Sequence, residues 1–354
     1  MQILTVKGDP RNPVKLKVHL FKPPGPGPFP LMVWNHGSDG AAKGQDMSRV
    51  GLHFGTYYAL SRGYAVAHPL LRGYGGSGGD MRMRGCDLAG LGRSNARDIA
   101  AVIDRLAHEP EINAQRTIVA GTSFGGWNAL AHGTLRDPHV VGLINFYGGA
   151  RTPACPDGDK VLASDAKRFG KETRIRSLWL YGDNDSRFST STWQAMYAAY
   201  KAQGAPAELA AFGPLLSDSH QLLSYPRGLW LVAPVLDKFL ASLDLPTQIL
   251  HPQYLPLPPP ARTDFAAIDD IRAAPLPNGQ DRTPYRDFLA RPYPRVIVIA
   301  PRRVVVVGNG GFDPLAKALA DCRRHSDDCR PYAADNEVVW TEPKGDQNQK
   351  TAHP

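Results

Sequence analysis

RTIVAGTSFGGWNALAHG, residues 116–133, decides how the rest of the chain is read. Thr117, Ile118, Val119 and Ala120 form a short apolar, β-branched run, the composition of a strand covered on both faces of a parallel sheet. From Trp127 to His132 the residues are helix formers without a breaker. Between them lies Gly121-Thr122-Ser123-Phe124-Gly125-Gly126, a G-x-S-x-G whose glycines permit the cramped strand-to-helix turn that lifts a serine hydroxyl clear of a sheet. Ser123 is therefore the candidate nucleophile. The plainer readings are an ordinary βα turn or a phosphate-binding helix start. A second match, Gly75-Gly76-Ser77-Gly78-Gly79, has no strand immediately before it and no helix after it, so Ser77 is read as part of a loop.

Working outward, Val14, Leu16, Val18 and Leu20 alternate with Lys15, Lys17 and His19, which predicts a half-buried strand at a sheet edge. Strands are expected at 31–34, 64–69, 140–146, 178–181 and near 207–212, and helices at about 51–61, 95–108, 192–202 and 229–240. Strands alternating with helices imply crossover connections and a mostly parallel sheet with helices on both faces. Residues 1–243 thus read as one α/β domain. Residues 244–264, containing HPQYLPLPPP, read as a proline-rich linker that continues neither helix nor sheet. Residues 265–342 read as a small α+β domain, with helices at 285–290 and 315–323 and strands at 296–299, 304–307 and 337–340. The polar stretch 343–354 reads as a disordered tail.

Among 354 residues, 42% are hydrophobic and 21% charged, enough to bury one large core and a second small one. The net charge of +8 is spread along the chain without a basic run or an aromatic-basic alternation, which argues against a nucleic-acid partner. No apolar run is long enough to cross a bilayer, and MQILTVKGDP lacks the sections of a secretory signal. The four cysteines Cys86, Cys155, Cys322 and Cys329 show no metal-ligand spacing with histidines, so no zinc site is expected. CRRHSDDC is the best disulfide candidate and would indicate an oxidising compartment. Unpaired thiols, and a cytoplasmic location, stay open.

A serine hydroxyl needs a base, and the base needs an orienting carboxylate. In a parallel sheet such groups come from loops at the carboxyl ends of strands. Of the eleven histidines, His220, His251, His325 and His353 follow the late strands. The last three fall in the linker, the small domain and the tail, which leaves His220, in Leu216-Ser217-Asp218-Ser219-His220. The acid should end the preceding strand, where GDND offers Asp183 and Asp185. Asp185 has room to turn back toward the histidine and is preferred. The oxyanion that forms when serine attacks a carbonyl needs two preset donors. These are the N–H of Phe124 and, after the strand 31–34, the N–H of Ser38, with His36 pinning that loop. Trp127, Phe124 and Arg72, with Arg82 and Arg84, are weighed as pocket residues against plainer roles in the core or a solvated loop. VVVVGNGG at 304–311 precedes a helix, but its glycine spacing fails for a dinucleotide loop.

The blocks WNHGSDG, RGYGGSGG, GTSFGG, WLYGDND and SDSH, in that order over roughly residues 10–240, resemble the dienelactone hydrolase-like branch of the α/β-hydrolase superfamily. They are also similar to the catalytic domains of prolyl oligopeptidases. The resemblance implies an α/β-hydrolase fold and a serine esterase acting through Ser123, Asp185 and His220 on a small-molecule ester, with no metal or organic cofactor. Dienelactone hydrolases proper use a cysteine nucleophile where this chain has Ser123, so lactone chemistry does not carry over. The alternatives are a serine peptidase of prolyl oligopeptidase type and a binding protein that kept the fold without turnover. The C-terminal segment is similar to a small domain appended to some bacterial exported hydrolases, which implies a periplasmic or secreted location. Oligomeric state is not legible.

Overall fold

The computed structural model describes residues 1–38, 53–80, 85–276, 282–301, 303–308 and 310–342. The helix start at 51–52, Arg82, Arg84 and the tail from residue 343 lie outside them. Two compact units are present: Met1–Ser224 with Leu231–Leu255, and Tyr225–Trp230 with Pro256–Pro354. One division, between Leu255 and Pro256, falls inside the proline-rich stretch, while residues 225–230 group with the second unit.

In the first unit, β1 (Gln2–Lys7), β2 (Lys15–Phe21), β3 (Phe29–Asn35), β4 (Ala65–Pro69), β5 (Ile112–Thr122), β6 (Val140–Phe146), β7 (Arg176–Tyr181) and β8 (Ala207–Ala211) form one sheet. Its order is β1-β2-β4-β3-β5-β6-β7-β8. β1 and β2 pair antiparallel, β2 pairs antiparallel with β4, and the six strands from β4 to β8 run parallel. The alternating strand read at 14–20 is β2, one place in from the edge. β1 is the edge strand that covers it.

Side chains alternate across the sheet and so sort the helices. Leu31 and Val33 of β3 pack with Ile99, Val102 and Ile103 of α2 (Leu88–Leu106) and Ala129 of α3 (Phe124–His132). Trp34, the next residue, turns the other way and lies against Gly55 of α1 (Phe54–Ser61), where a Cβ would come within 2.1 Å of the indole. On that face Tyr58 Oη donates to Asp237 of α6 (Pro226–Ala241) at 2.5 Å, and Arg62 makes a paired bond to the same carboxylate at 3.1 and 2.9 Å. Between β6 and β7 the structure adds α4 (Gly158–Glu172), absent from the sequence reading. α5 (Thr190–Lys201) follows β7. In α4 the buried Leu162, Ala166 and Phe169 recur at helical spacing but are set among charges.

The second unit is a four-stranded antiparallel sheet, β10-β9-β11-β12, of β9 (Arg295–Ala300), β10 (Arg303–Gly308), β11 (Arg330–Ala334) and β12 (Glu337–Val338). β11 is new relative to the sequence reading, because a proline and an arginine in RPYAA mask it. Ile297, Ile299 and Tyr332 face Tyr285 and Phe288 of α7 (Thr283–Ala290) together with Trp340. Val296, Val298 and Ala300 face Leu315, Ala318 and Cys322 of α8 (Pro314–Arg323). VVVVGNGG therefore begins as β10, antiparallel to β9, and not as the first strand of a parallel βαβ unit.

All four cysteines are paired: Cys86 with Cys155 in the first unit, Cα atoms 4.9 Å apart, and Cys322 with Cys329 in the second, 6.0 Å apart. The first pairing is not apparent in the sequence, since 69 positions separate its partners. No helix among the described residues is long and apolar enough to cross a membrane.

Candidate active site

β5 ends at Thr122 and α3 begins at Phe124, so Ser123 alone makes the turn, with φ 54° and ψ −122°. A non-glycine residue in that region is strained, and such strain is held only where the surroundings over-determine it. Here they do. A Cβ on Gly121 would sit 2.3 Å from the Gly125 carbonyl, and one on Gly125 would sit 2.0 Å from the Asn35 carbonyl oxygen. Both flanking glycines are thus required by contact with backbone. Ser123 N–H donates to Phe146 O at 3.0 Å, and Gly149 N–H donates to Ser123 O at 3.2 Å. The hydroxyl makes no capping bond to α3.

β3 delivers the loop 36–38 over this turn: a Cβ on Gly37 would lie 3.2 Å from Ser123 Cβ and 3.8 Å from its Oγ. His36 Nε2 accepts from the Leu71 N–H at 3.0 Å, so Nδ1 carries the proton and donates to Gly37 O at 2.7 Å. Burial, against the pull of that carbonyl, lowers the His36 pKa to about 4 and keeps the ring neutral. With Gly37 O held by the imidazole, the trans peptide turns the Ser38 N–H to the opposite side. Ser38 Oγ is bonded to Tyr74 Oη at 2.8 Å, and the Tyr74 ring lies 5.1 Å from that of His36. Phe124 opens α3, where first-turn N–H groups lack helical partners and the helix dipole is positive.

After β7, the turn Gly182-Asp183-Asn184-Asp185 separates the two acid candidates. Asp183 faces the Thr190 hydroxyl. Asp185 Oδ1 accepts from the N–H groups of Arg187 at 2.7 Å and Phe188 at 2.9 Å. His220 Nδ1 lies 3.0 Å from both Asp185 oxygens. An ionised carboxylate only accepts, so Nδ1–H donates and Nε2 keeps the lone pair that can take a proton. The Asp185 side chain is fully buried and that of His220 is 10% exposed. The imidazole sits against Tyr147, ring centroids 4.8 Å apart, and Phe188, 5.8 Å apart. Tyr147 belongs to the same segment, 146–149, that binds the main chain of Ser123.

The two residues weighed for the pocket have other partners. Trp127 is fully buried; its indole N–H donates to Leu88 O at 2.9 Å and its ring packs on Phe169. Arg72 is buried and bonded to both oxygens of Asp98 and to Asn12 O, so its charge is already matched. It borders a cavity of about 760 Å³ beside Asn12, Ser94 and Asn95 at the start of α2. Both side chains find partners in distant elements. Sequence reasoning also passed over Tyr147, Asn184 and Asp218. Asn184 and Asp218 stand inside the quoted blocks GDND and SDSH, and that adjacency was the available signal.

A family model described as X-Pro dipeptidyl-peptidase (S15 family) matches residues 11–150, less than half of the chain. No curated protein matches the sequence. Similar solved structures include a ferulic acid complex of Est1E from Butyrivibrio proteoclasticus (18% identity, 68% of this chain and 99% of that one, TM-score 0.48). A putative dienelactone hydrolase from Klebsiella pneumoniae subsp. pneumoniae MGH 78578 matches at 15% identity over 69% of this chain and 99% of its own, with a TM-score of 0.46. The acylaminoacyl peptidase of Pyrococcus horikoshii matches at 16% identity over 68% of this chain and 41% of its own, with a TM-score of 0.48. The strand order, the antiparallel first pair, the crossover helices and the strained serine turn at the end of β5 give the first unit an α/β-hydrolase fold.

Proposed function

We propose that the chain is a serine hydrolase of carboxylic esters, with a small-molecule ester as its substrate. The observation that carries the reading is the Asp185–His220 pair at 3.0 Å in a unit whose strained turn exposes Ser123. In this scheme Ser123 Oγ attacks the ester carbonyl carbon while His220 Nε2 takes the hydroxyl proton. Asp185 holds the ring and stabilises the imidazolium. The N–H groups of Phe124 and Ser38 receive the negative charge that develops on the carbonyl oxygen. Collapse of the tetrahedral intermediate expels the alcohol, which leaves with the proton from His220. Water, deprotonated by the same nitrogen, then cleaves the acyl-enzyme and releases the carboxylic acid. No step calls for a metal or an organic cofactor. Two disulfides fit an oxidising compartment, periplasmic or extracellular.

The match of residues 11–150 to a peptidase family model supports a second reading, amide hydrolysis by the same residues. A fluorophosphonate probe followed by peptide mapping tests the first step: stoichiometric labelling at Ser123, abolished in Ser123→Ala, is expected. Absence of labelling in folded protein would favour a binding role. Asp185→Asn should lower kcat by about 10⁴-fold, as loss of the orienting acid does in related relays. Rates on short p-nitrophenyl esters against proline-containing amides separate esterase from peptidase.

A further inference from the structure

We infer that Asp218, the second carboxylate of the histidine loop, is a positioning residue for His220: it ties the loop carrying the base to the loop carrying the acid and keeps a negative charge beside the imidazole. The inference rests on the reading of Ser123, Asp185 and His220 as one relay. Asp218 Oδ1 accepts from the N–H of His220 at 2.8 Å and from the N–H of Ser186 at 3.0 Å, and Oδ2 accepts from the Ser186 hydroxyl at 2.7 Å. One carboxylate therefore joins the main chain of the base to the residue that follows the acid. On the other side of Asp185, Asn184 does the matching work. Its amide oxygen accepts from Leu215 N–H at 2.8 Å, and its NH₂ donates to Leu215 O at 3.3 Å and Leu216 O at 3.2 Å.

These polar ties matter on the N-terminal side of the histidine, since Leu222 and Leu223 bury the chain only on its C-terminal side. Of residues 213–218 only Leu215 is buried. Asp185 fixes Nδ1 and the rings of Tyr147 and Phe188 fix the tilt of the imidazole, but neither holds the main chain from which the ring hangs. An error of about 1 Å in the base costs up to about 100-fold in rate. The groups around the imidazole are Asp185 from the β7 loop, the Asp218 charge from its own loop, the Tyr147 ring from the β6 loop, whose hydroxyl is bonded to the Leu223 main chain, and Phe188. The Arg151 guanidinium lies 5.5 Å from the Phe188 ring centroid. Burial raises the Asp218 pKa, but the two Ser186 bonds, the His220 N–H and the His220 charge outweigh it, and the net shift is downward. The carboxylate is thus ionised wherever the relay works.

Steady-state hydrolysis of p-nitrophenyl acetate by the full chain between pH 5 and 9 tests this. Asp218→Ala should lower kcat by about 10- to 100-fold with KM within about twofold. Asp218→Asn, whose amide can still accept from His220 and donate to the Ser186 hydroxyl, should recover most of that rate at pH 8. The acid limb of its profile should nonetheless move down by roughly half a pH unit, since the imidazolium loses a neighbouring negative charge. Ser186→Ala should fall between the two. A folded Asp218→Ala protein with wild-type kcat, or an Asn variant whose acid limb stays in place, overturns the inference. If the alanine variant does not fold, the Asn and Ser186→Ala variants decide. Ser123→Ala and Asp185→Asn run alongside: if they are inactive while the Asp218 variants match wild type, only the positioning role falls. If Ser123→Ala keeps its rate, the relay itself falls.

Discussion

Gly125 has less freedom to change than Ser123 itself. Its missing side chain leaves room for Asn35 O, and a Cβ at 2.0 Å from that oxygen could be accommodated only by moving the carboxyl end of β3, which carries the loop 36–38. Gly125→Ala should therefore destabilise the first unit by about 3 kcal/mol or more and abolish labelling of Ser123. Gly158, at the start of α4, has nothing within 4 Å of the same added atom, so Gly158→Ala should stay within about 1 kcal/mol of wild type. Urea unfolding of both variants provides the comparison. Equal effects would mean that backbone contact at the elbow does not set the glycine requirement.

At the scale of elements, the candidate site is assembled from the carboxyl ends of β3, β5 and β7 and the loop after β8, so its accuracy depends on how those loops are tied. Polar side chains tie the last two. A disulfide ties the segment after β4 to the segment after β6, which begins with Tyr147 and continues to Cys155. Closing a loop across 69 positions removes enough unfolded-chain entropy to stabilise by about 4 kcal/mol, against about 2.5 kcal/mol for the 7-position loop of Cys322–Cys329. Replacing Cys86 and Cys155 by serine should accordingly lower the unfolding midpoint of the first unit more than replacing Cys322 and Cys329 lowers that of the second. Thermal unfolding of the two paired variants measures both, and the reverse order would contradict the loop-length argument.

For the molecule as a whole, the buried histidines set a limit on acid tolerance. Burial lowers the His36 pKa to about 4, and burial with the neighbouring His53, His36 and His19 lowers that of His68 well below the usual value. Between about pH 6.5 and 4 the unfolded chain therefore binds protons that the folded chain refuses. Their contribution is complete above the unfolded pKa and is lost as pH falls through that window, by about 1.4 kcal/mol per pH unit for each histidine. Urea unfolding at pH 7.5 and 5.0 should show the loss, and His68→Gln should reduce its slope by about a third, since His53, whose pKa burial lowers to about 3, contributes alongside His36 and His68. A stability that stays level over this interval would mean that these rings are protonated in the native state.

The sequence by itself determined what depends on neighbours in the chain. The period-2 and helical spacings place most strands and helices. The glycines around Ser123 make a sharp turn, and the strand ends put Ser123, Asp185 and His220 in that chain order. α4 and β11 were less legible because their apolar residues are few and set among charges or beside a proline. Only the tertiary structure decided which partner each polar or aromatic side chain has: Arg72 with Asp98, Trp127 with Leu88 and Phe169, Cys86 with Cys155, and Asp218 with Ser186. The physical reason is that a hydrogen bond, an ion pair or a disulfide is fixed by distance in space. These partners, from 26 to 69 positions apart in the chain, meet only after the helices and loops have packed around the sheet.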